Sequence, residues 1–309
     1  MAVIKITSPQ AIGNVKLKVI GKPKLILVNG YWNRITNSIG ISPGKGKKGY
    51  WDFFFTYRSS LNGFLKAAKV YFGDKNYQDI PFYADGSSLF GGDSSGEDRK
   101  NKGYEFANQH LAEITKGVGN EKIYFISHSE GAAYAAGMAK ALIEKGYKIG
   151  ESVMLSADEG DEFTVEGNYP CYQITAGRIE KEPNTTYATS TYVPNSVNYP
   201  YPVSGQNTKR RFYIDPIVGD HKIKGVNRYG IYIDFHASFS NVHASTIDES
   251  IFNKLRQLKT LKVISRKMNG KTEHIIMGKN VIWHKIDDKF VVNNNIDIYH
   301  NGKEIIYKK

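Results

Sequence analysis

Residues 122–146 read KIYFISHSEGAAYAAGMAKALIEKG, and this stretch decides the fold. Ile123 to Ile126 is an apolar run with the length and composition of a buried strand. It stops at Ser127-His128-Ser129-Glu130-Gly131, and an Ala-rich helix follows, closed by Gly146. A strand, an abrupt turn with a central Ser and a helix together form the context of a nucleophile elbow. The turn must be tight for the Ser129 hydroxyl to stand above the sheet with the Glu130 N–H facing the same point. Small residues two before and two after the Ser let strand and helix pack closely. Here they are Ser127, where Gly is usual, and Gly131. An ordinary strand-to-helix turn would need neither flank, so the flanks favour a nucleophilic Ser129.

Outward from this unit, strands and helices alternate. Lys24 to Val28 is a buried strand ending in a polar turn at Asn29-Gly30. A Gly- and Lys-rich loop spans 40–49, and the aromatic block Tyr50 to Phe55 leads into a helix near 57–70. A strand at 79–84, a loop at 85–98 and a helix over 99–116 follow, with Glu97 and Asp98 at the helix's positive end. Beyond Gly146, strands fit Gly150 to Ser156, Tyr172 to Thr175, Arg211 to Ile214 and Tyr229 to Phe235, and a last helix fits 247–258. Residues 3–20 alternate as an edge hairpin would. Short buried strands alternating with helices predict an α/β fold, a mostly parallel central sheet with helices on both faces. Residues 178–210 are rich in Asn, Thr, Tyr, Pro and Ser without a period, and read as a long insertion or lid. From 259 on, short strands separated by Asn-Gly, Gly-Lys and Asp-Asp turns predict a small C-terminal β-meander. The expected organisation is a catalytic domain over 1–258 and an accessory β-hairpin module over 259–309.

Composition narrows the classes. The 309 residues suffice for a sizeable core, and 21 Tyr with 15 Phe make the chain aromatic. The net charge of +12 invites a nucleic-acid reading, but the basic residues are dispersed and no nucleic-acid-binding motif accompanies them. No specific nucleic acid is expected as a partner, whereas an anionic membrane surface fits the charge equally well. The single Cys171 excludes an internal disulfide and a Cys-rich metal site. The start, Met1 to Thr7, lacks the apolar core of a secretory signal, and no stretch reaches the length of a membrane span. Synthesis as a soluble cytoplasmic protein is expected, with signal-independent secretion left open.

A Ser nucleophile needs a base, an acid to orient the base, and donors for the oxyanion. In enzymes with such an elbow the chain order is Ser, acid, His. The base therefore comes from His221, His236, His243, His274, His284 and His300, of which the last three fall in the β module. His243 lies after a strand and just ahead of a helix, where a catalytic His belongs. His236, at the strand end, is the alternative. His128 belongs to the elbow itself and supports it. For the acid, Asp215 follows a strand and precedes Pro216, while Glu180, Asp161 and Asp220 are rivals. The oxyanion donors are the N–H of Glu130 and that of Gly30 or Tyr31, directly after the strongest early strand.

The strand–Ser127-His128-Ser129-Glu130-Gly131–helix unit and the late His243 resemble an α/β-hydrolase of the lipase/esterase group over about residues 20–258. Ile126 to Gly137 is more faintly similar to lipase-like domains at the C-terminal ends of large bacterial repeat and toxin proteins, so a bacterial effector is one implied setting. The resemblance implies an eight-stranded sheet, a Ser–His–acid triad and hydrolysis of carboxylic esters, with lipid or phospholipid favoured over small soluble esters. It implies no metal and no cofactor. The competing reading is a non-catalytic hydrolase-fold module that docks a protein or membrane partner.

Overall fold

The computed structural model describes residues 21–33, 43–55, 60–73, 76–87, 94–180, 199–203, 206–214, 221, 223–233, 243–258, 262–268, 271–277, 282–286, 289–293, 297–300 and 305–308. The central sheet contains β1 (Lys24–Asn29), β2 (Phe82–Asp85), β3 (Lys122–His128), β4 (Lys148–Leu155), β5 (Cys171–Glu180) and β8 (Asn227–Ile233). These run parallel in the spatial order β2-β1-β3-β4-β5-β8. The α/β class read from the sequence is thus the one observed.

Both faces of the sheet are covered, and β1 shows how. Leu25 and Leu27 pack into one core with α1 (Lys48–Phe55), α2 (Leu61–Phe72) and α6 (Ser250–Leu258). Ile26 and Val28 pack into the opposite core with α3 (Gly96–Gln109) and α5 (Gly131–Glu144). Successive side chains of a strand alternate between faces, so a strand buried on both reads as an unbroken apolar run. Helix ends follow local chemistry. Ser60 accepts a hydrogen bond from Gly63 N–H at the start of α2, and Gly73 closes it at φ 81°. Ser95 caps α3 by accepting from Asp98 N–H.

Several boundaries differ from the sequence expectation. The aromatic block is itself helix α1, and its Tyr50, Trp51 and Phe55 are core residues, with Trp51 stacked on Phe64 at 6.0 Å. The helix expected over 99–116 is two, α3 and α4 (Leu111–Thr115), with the break at His110. The segment read as an insertion contains part of a hairpin, β6 (Tyr199–Val203) against β7 (Gln206–Ile214). β7 pairs with Gly177 to Glu180 along the edge of β5 that β4 occupies lower down, so the hairpin stands beyond the C-terminal end of β4. Residues 181–198 of that segment and the edge hairpin expected at 3–20 lie outside the described residues.

From residue 262 on, β9 (Lys262–Met268), β10 (Lys271–Met277), β11 (Ile282–Ile286) and β12 (Lys289–Asn293) form an antiparallel meander. β12 also runs parallel to β8, joining this ladder to the central sheet. The last hairpin is β13 (Asp297–His300) with β14 (Ile305–Lys308).

Candidate active site

The turn between β3 and α5 is drawn tight by backbone bonds. Ser129 N–H donates to Leu155 O at 2.9 Å, and Ala132 N–H returns to Ser129 O at 3.0 Å. Ser129 sits at φ 55°, in the left-handed region, which costs a non-glycine residue about 1–2 kcal/mol. The other left-handed non-glycine residues among those described are Lys47, Ser156 and Glu159. Ser156 and Glu159 follow β4, the strand beside β3, and Lys47 N–H donates to Asn29 Oδ1 at 2.7 Å. All four border the elbow, and clustered strain of this kind belongs to functional sites.

Close approach explains two glycines. A Cβ on Gly131 would lie 2.5 Å from Asn29 O, and one on Gly30 would lie 2.6 Å from the Ser129 Cβ. The loop after β1 therefore rests against the nucleophile. It is pinned by Asp85, which accepts from Asn29 Nδ2 at 2.8 Å, Trp32 Nε1 at 2.9 Å and Ser87 Oγ at 2.7 Å.

A chain of hydrogen bonds links α1 to the backbone of the predicted base. The Tyr50 hydroxyl is buried, which pushes its pKa up, and the nearby Gly30 backbone works against that shift. Tyr50 Oη lies 2.5 Å from His128 Nδ1, and His128 Nε2 lies 3.1 Å from His243 O. A carbonyl can only accept, so Nε2 carries the proton and the Tyr50 O–H donates to Nδ1. Ser156 Oγ also donates to His243 O at 2.9 Å, and Thr246 Oγ1 lies 2.9 Å from Ser156 Oγ. The His128 and His243 rings stand 4.7 Å apart, edge to face, and both residues are buried.

Burial first, then the neighbouring His243, holds the His128 pKa well below its ordinary 6.5. A folded-state value below the unfolded one gives stability that is full above pH 6.5 and lost as pH falls below it. The expected loss is about 1.4 kcal/mol per pH unit from this residue. Urea unfolding between pH 7.5 and 5 measures it: His128→Gln should flatten the slope by one proton. An equal slope in both proteins would assign the acid sensitivity elsewhere.

The remaining charged groups form a second layer. Arg99, in the first turn of α3, donates from Nη2 to Glu130 Oε1 at 2.9 Å and from Nε to Glu159 Oε2 at 3.0 Å. Burial is the main cause that pushes the Glu130 carboxyl up to about 7, with Asp158 and Glu159 adding to it and Arg99 and His243 opposing. Lys100, equally buried, pairs with Glu166 at 2.7 Å.

The structure thus brings Gly30 against Ser129, and the backbone of His243 against His128, the residue before Ser129, with Tyr31 in the loop after β1. Asp161 bonds His221 Nδ1 and is engaged there. Asp215, Asp220 and His236 lie outside the described residues, as does the side chain of Glu180. Sequence reading missed Tyr50, Asp85, Arg99 and Ser156. Only Ser156 had a signal, a polar residue ending an apolar strand beside β3. A groove of about 710 Å³ lined by Lys22, Lys66, Lys69, Tyr77 and Asp79 lies elsewhere, by the N-terminal ends of β1 and β2. Among the described residues no group of three or more His, Cys, Asp or Glu could hold a metal ion, and no helix is long and apolar enough to cross a membrane.

No family model and no curated protein matches the chain. Among solved structures, RedJ with a PEG molecule bound in its active site is similar at a TM-score of 0.26 and 10% identity, over 59% of this chain and 76% of that one. Phospholipase PlaB from Legionella pneumophila is similar at a TM-score of 0.28 and 11% identity, over 84% and 69%. Likenesses this faint carry no weight for the activity.

Proposed function

We propose that this chain is a serine hydrolase that cleaves carboxylic ester bonds, with lipid or phospholipid esters as its substrate class. The observation that carries this reading is Ser129 held left-handed at the strand-to-helix turn, with the His243 carbonyl bonded to the adjacent His128. A left-handed Ser serves no packing purpose that Gly would not serve better. It presents a hydroxyl at the C-terminal end of the sheet.

In the proposed reaction His243 takes the Ser129 proton as Oγ attacks the ester carbonyl, and Asp215 orients the imidazole. The N–H groups of Glu130 and of Gly30 or Tyr31 receive the oxyanion. His243 then protonates the leaving alcohol, and water opens the acyl-enzyme. No metal or cofactor takes part. The lipid preference draws support from the resemblance of residues 126–137 to lipase-like domains, and contact with an anionic surface from the +12 charge.

The test is fluorophosphonate labelling read by intact mass, on the wild type and Ser129→Ala, beside a p-nitrophenyl ester series and phospholipid vesicles. One adduct per chain, absent from the variant, is expected, with turnover rising with acyl length. A folded wild type that takes no label would refute the proposal and leave a docking module as the reading.

A further inference from the structure

We infer that Asn29 and Asp85 are positioning residues for the oxyanion donors: the Asn29 carboxamide, held by Asp85, grips the Gly30 carbonyl and so sets the direction of the Tyr31 N–H. The inference deepens the hydrolase reading and rests on it.

A trans peptide carries its C=O and N–H on opposite sides, so whatever holds the carbonyl aims the amide. The two candidate donors belong to consecutive peptides. Asn29 O, in the peptide that carries the Gly30 N–H, accepts from Gly86 N–H at 3.1 Å. Gly30 O, in the peptide that carries the Tyr31 N–H, accepts from Asn29 Nδ2 at 2.8 Å. Both amides therefore have a fixed direction, one through the backbone after β2 and the other through the Asn29 side chain.

Asn29 ends the apolar run of β1 and is fully buried. Its partners settle which way the carboxamide faces. Lys47 N–H can only donate, and it reaches Oδ1 at 2.7 Å. Nδ2 is left to face two acceptors, Gly30 O and Asp85 Oδ1, each at 2.8 Å. Lys47 makes its contact from a left-handed backbone, φ 53°, so the turn ahead of α1 carries strain where it meets Asn29. Asp85 stands opposite Asn29 in the parallel register of β1 and β2. It also accepts from Trp32 Nε1 at 2.9 Å and from Ser87 N–H at 3.1 Å. One carboxylate thus ties Asn29 and Trp32, the two residues that bracket Gly30 and Tyr31.

Packing alone does not ask for this arrangement. A buried carboxamide is costly unless its donors and acceptor are all engaged, and an apolar residue would simply continue the run of β1. The segment so held is the one that rests on the nucleophile: a Cβ on Gly30 would lie 3.3 Å from Ser129 Oγ. Donors for a developing negative charge are effective when fixed in advance, and this network fixes them.

The experiment measures kcat and KM for a p-nitrophenyl ester, and inhibition by an alkyl trifluoromethyl ketone, in the wild type, Asn29→Ala, Asp85→Ala, Asp85→Asn and Asn29→Ala/Asp85→Ala. Ser129 Oγ adds to the ketone carbon, its proton passes to His243 and the carbonyl π pair becomes the oxyanion, so the adduct reports on the donors. Asn29→Ala should lower kcat about 10²-fold with KM nearly unchanged, as loss of one oxyanion donor does. The inhibition constant should rise by a similar factor. Asp85→Ala should move both in the same direction, and the double variant should be scarcely worse than Asn29→Ala, because Asp85 acts through Asn29. Asp85→Asn keeps an oxygen for Asn29 Nδ2 and should restore most of what Asp85→Ala loses. Thermal unfolding accompanies each protein; if Asn29→Ala does not fold, the comparison of Asp85→Ala with Asp85→Asn decides alone. Lower stability with kcat and inhibition unchanged, or effects that multiply in the double variant, would overturn this inference alone. A wild type that takes no fluorophosphonate label overturns the hydrolase reading as well.

Discussion

His243→Ala is expected to lower ester turnover on the order of 10⁴-fold while leaving the fold intact. Two hydrogen bonds that tie this loop run to the His243 carbonyl, which the substitution keeps. His128 Nε2, at 3.1 Å, and Ser156 Oγ, at 2.9 Å, both reach that oxygen. Removing the ring therefore removes the base and leaves the loop tied. The residual rate should come from the oxyanion donors and from binding. Because Ser129 and His243 would act as one unit, Ser129→Ala/His243→Ala should be scarcely worse than either single variant. His221→Ala is the control: that ring is engaged with Asp161, and its loss should change turnover less than twofold. Retention of a tenth or more of the activity in His243→Ala would remove it as the base and direct attention to His236.

Gly137→Ala should be strongly destabilising although it adds a single methyl group. Helix propensity alone argues the other way, since Ala in a helix is favoured over Gly by about 1 kcal/mol. The packing decides the sign. A Cβ on Gly137 would lie 1.8 Å from Lys100 O and 2.8 Å from Tyr104 N, and one on Gly103 would lie 2.0 Å from Tyr134 O. These are backbone atoms, so no side chain can rotate away and α3 and α5 must separate. Overpacking of this severity costs about 3 kcal/mol or more, enough to override propensity and lower the Tm by roughly 10 °C in a domain of this size. Separation would also pull Arg99 from Glu130 and Lys100 from Glu166, so activity should fall with stability. Thermal unfolding decides it: a Gly137→Ala protein as stable as the wild type would mean that the helices part at no cost.

What was legible in the sequence was local. The β3–turn–α5 unit could be read because strand, turn and helix are contiguous and each has its own pattern. The partners that make Ser129 a site could not. Tyr50 reaches His128 across 78 residues and Ser156 reaches the His243 carbonyl across 87, and no period marks either. Helix α1 was hidden because Phe53, 39% exposed, puts an apolar residue on the outward face and erases the helical period of the aromatic block. The hairpin β6–β7 was hidden by Pro200 and Pro202, which argue against a strand. Each lies on β6 opposite Arg211 or Lys209 of β7, and proline is tolerated in sheets mainly at edges.

The left-handed backbone at Ser129 sets folding and chemistry against each other at a single atom. Glycine there would relax the turn and remove the hydroxyl in the same step, and Ser156 at φ 43° stands under the same tension one strand away. A lineage or a laboratory screen that rewarded heat resistance alone would drift toward glycine at these positions, towards a sturdier molecule without the hydroxyl on which the proposed reaction depends. On the proposed reading, keeping serine there requires that catalysis be selected directly.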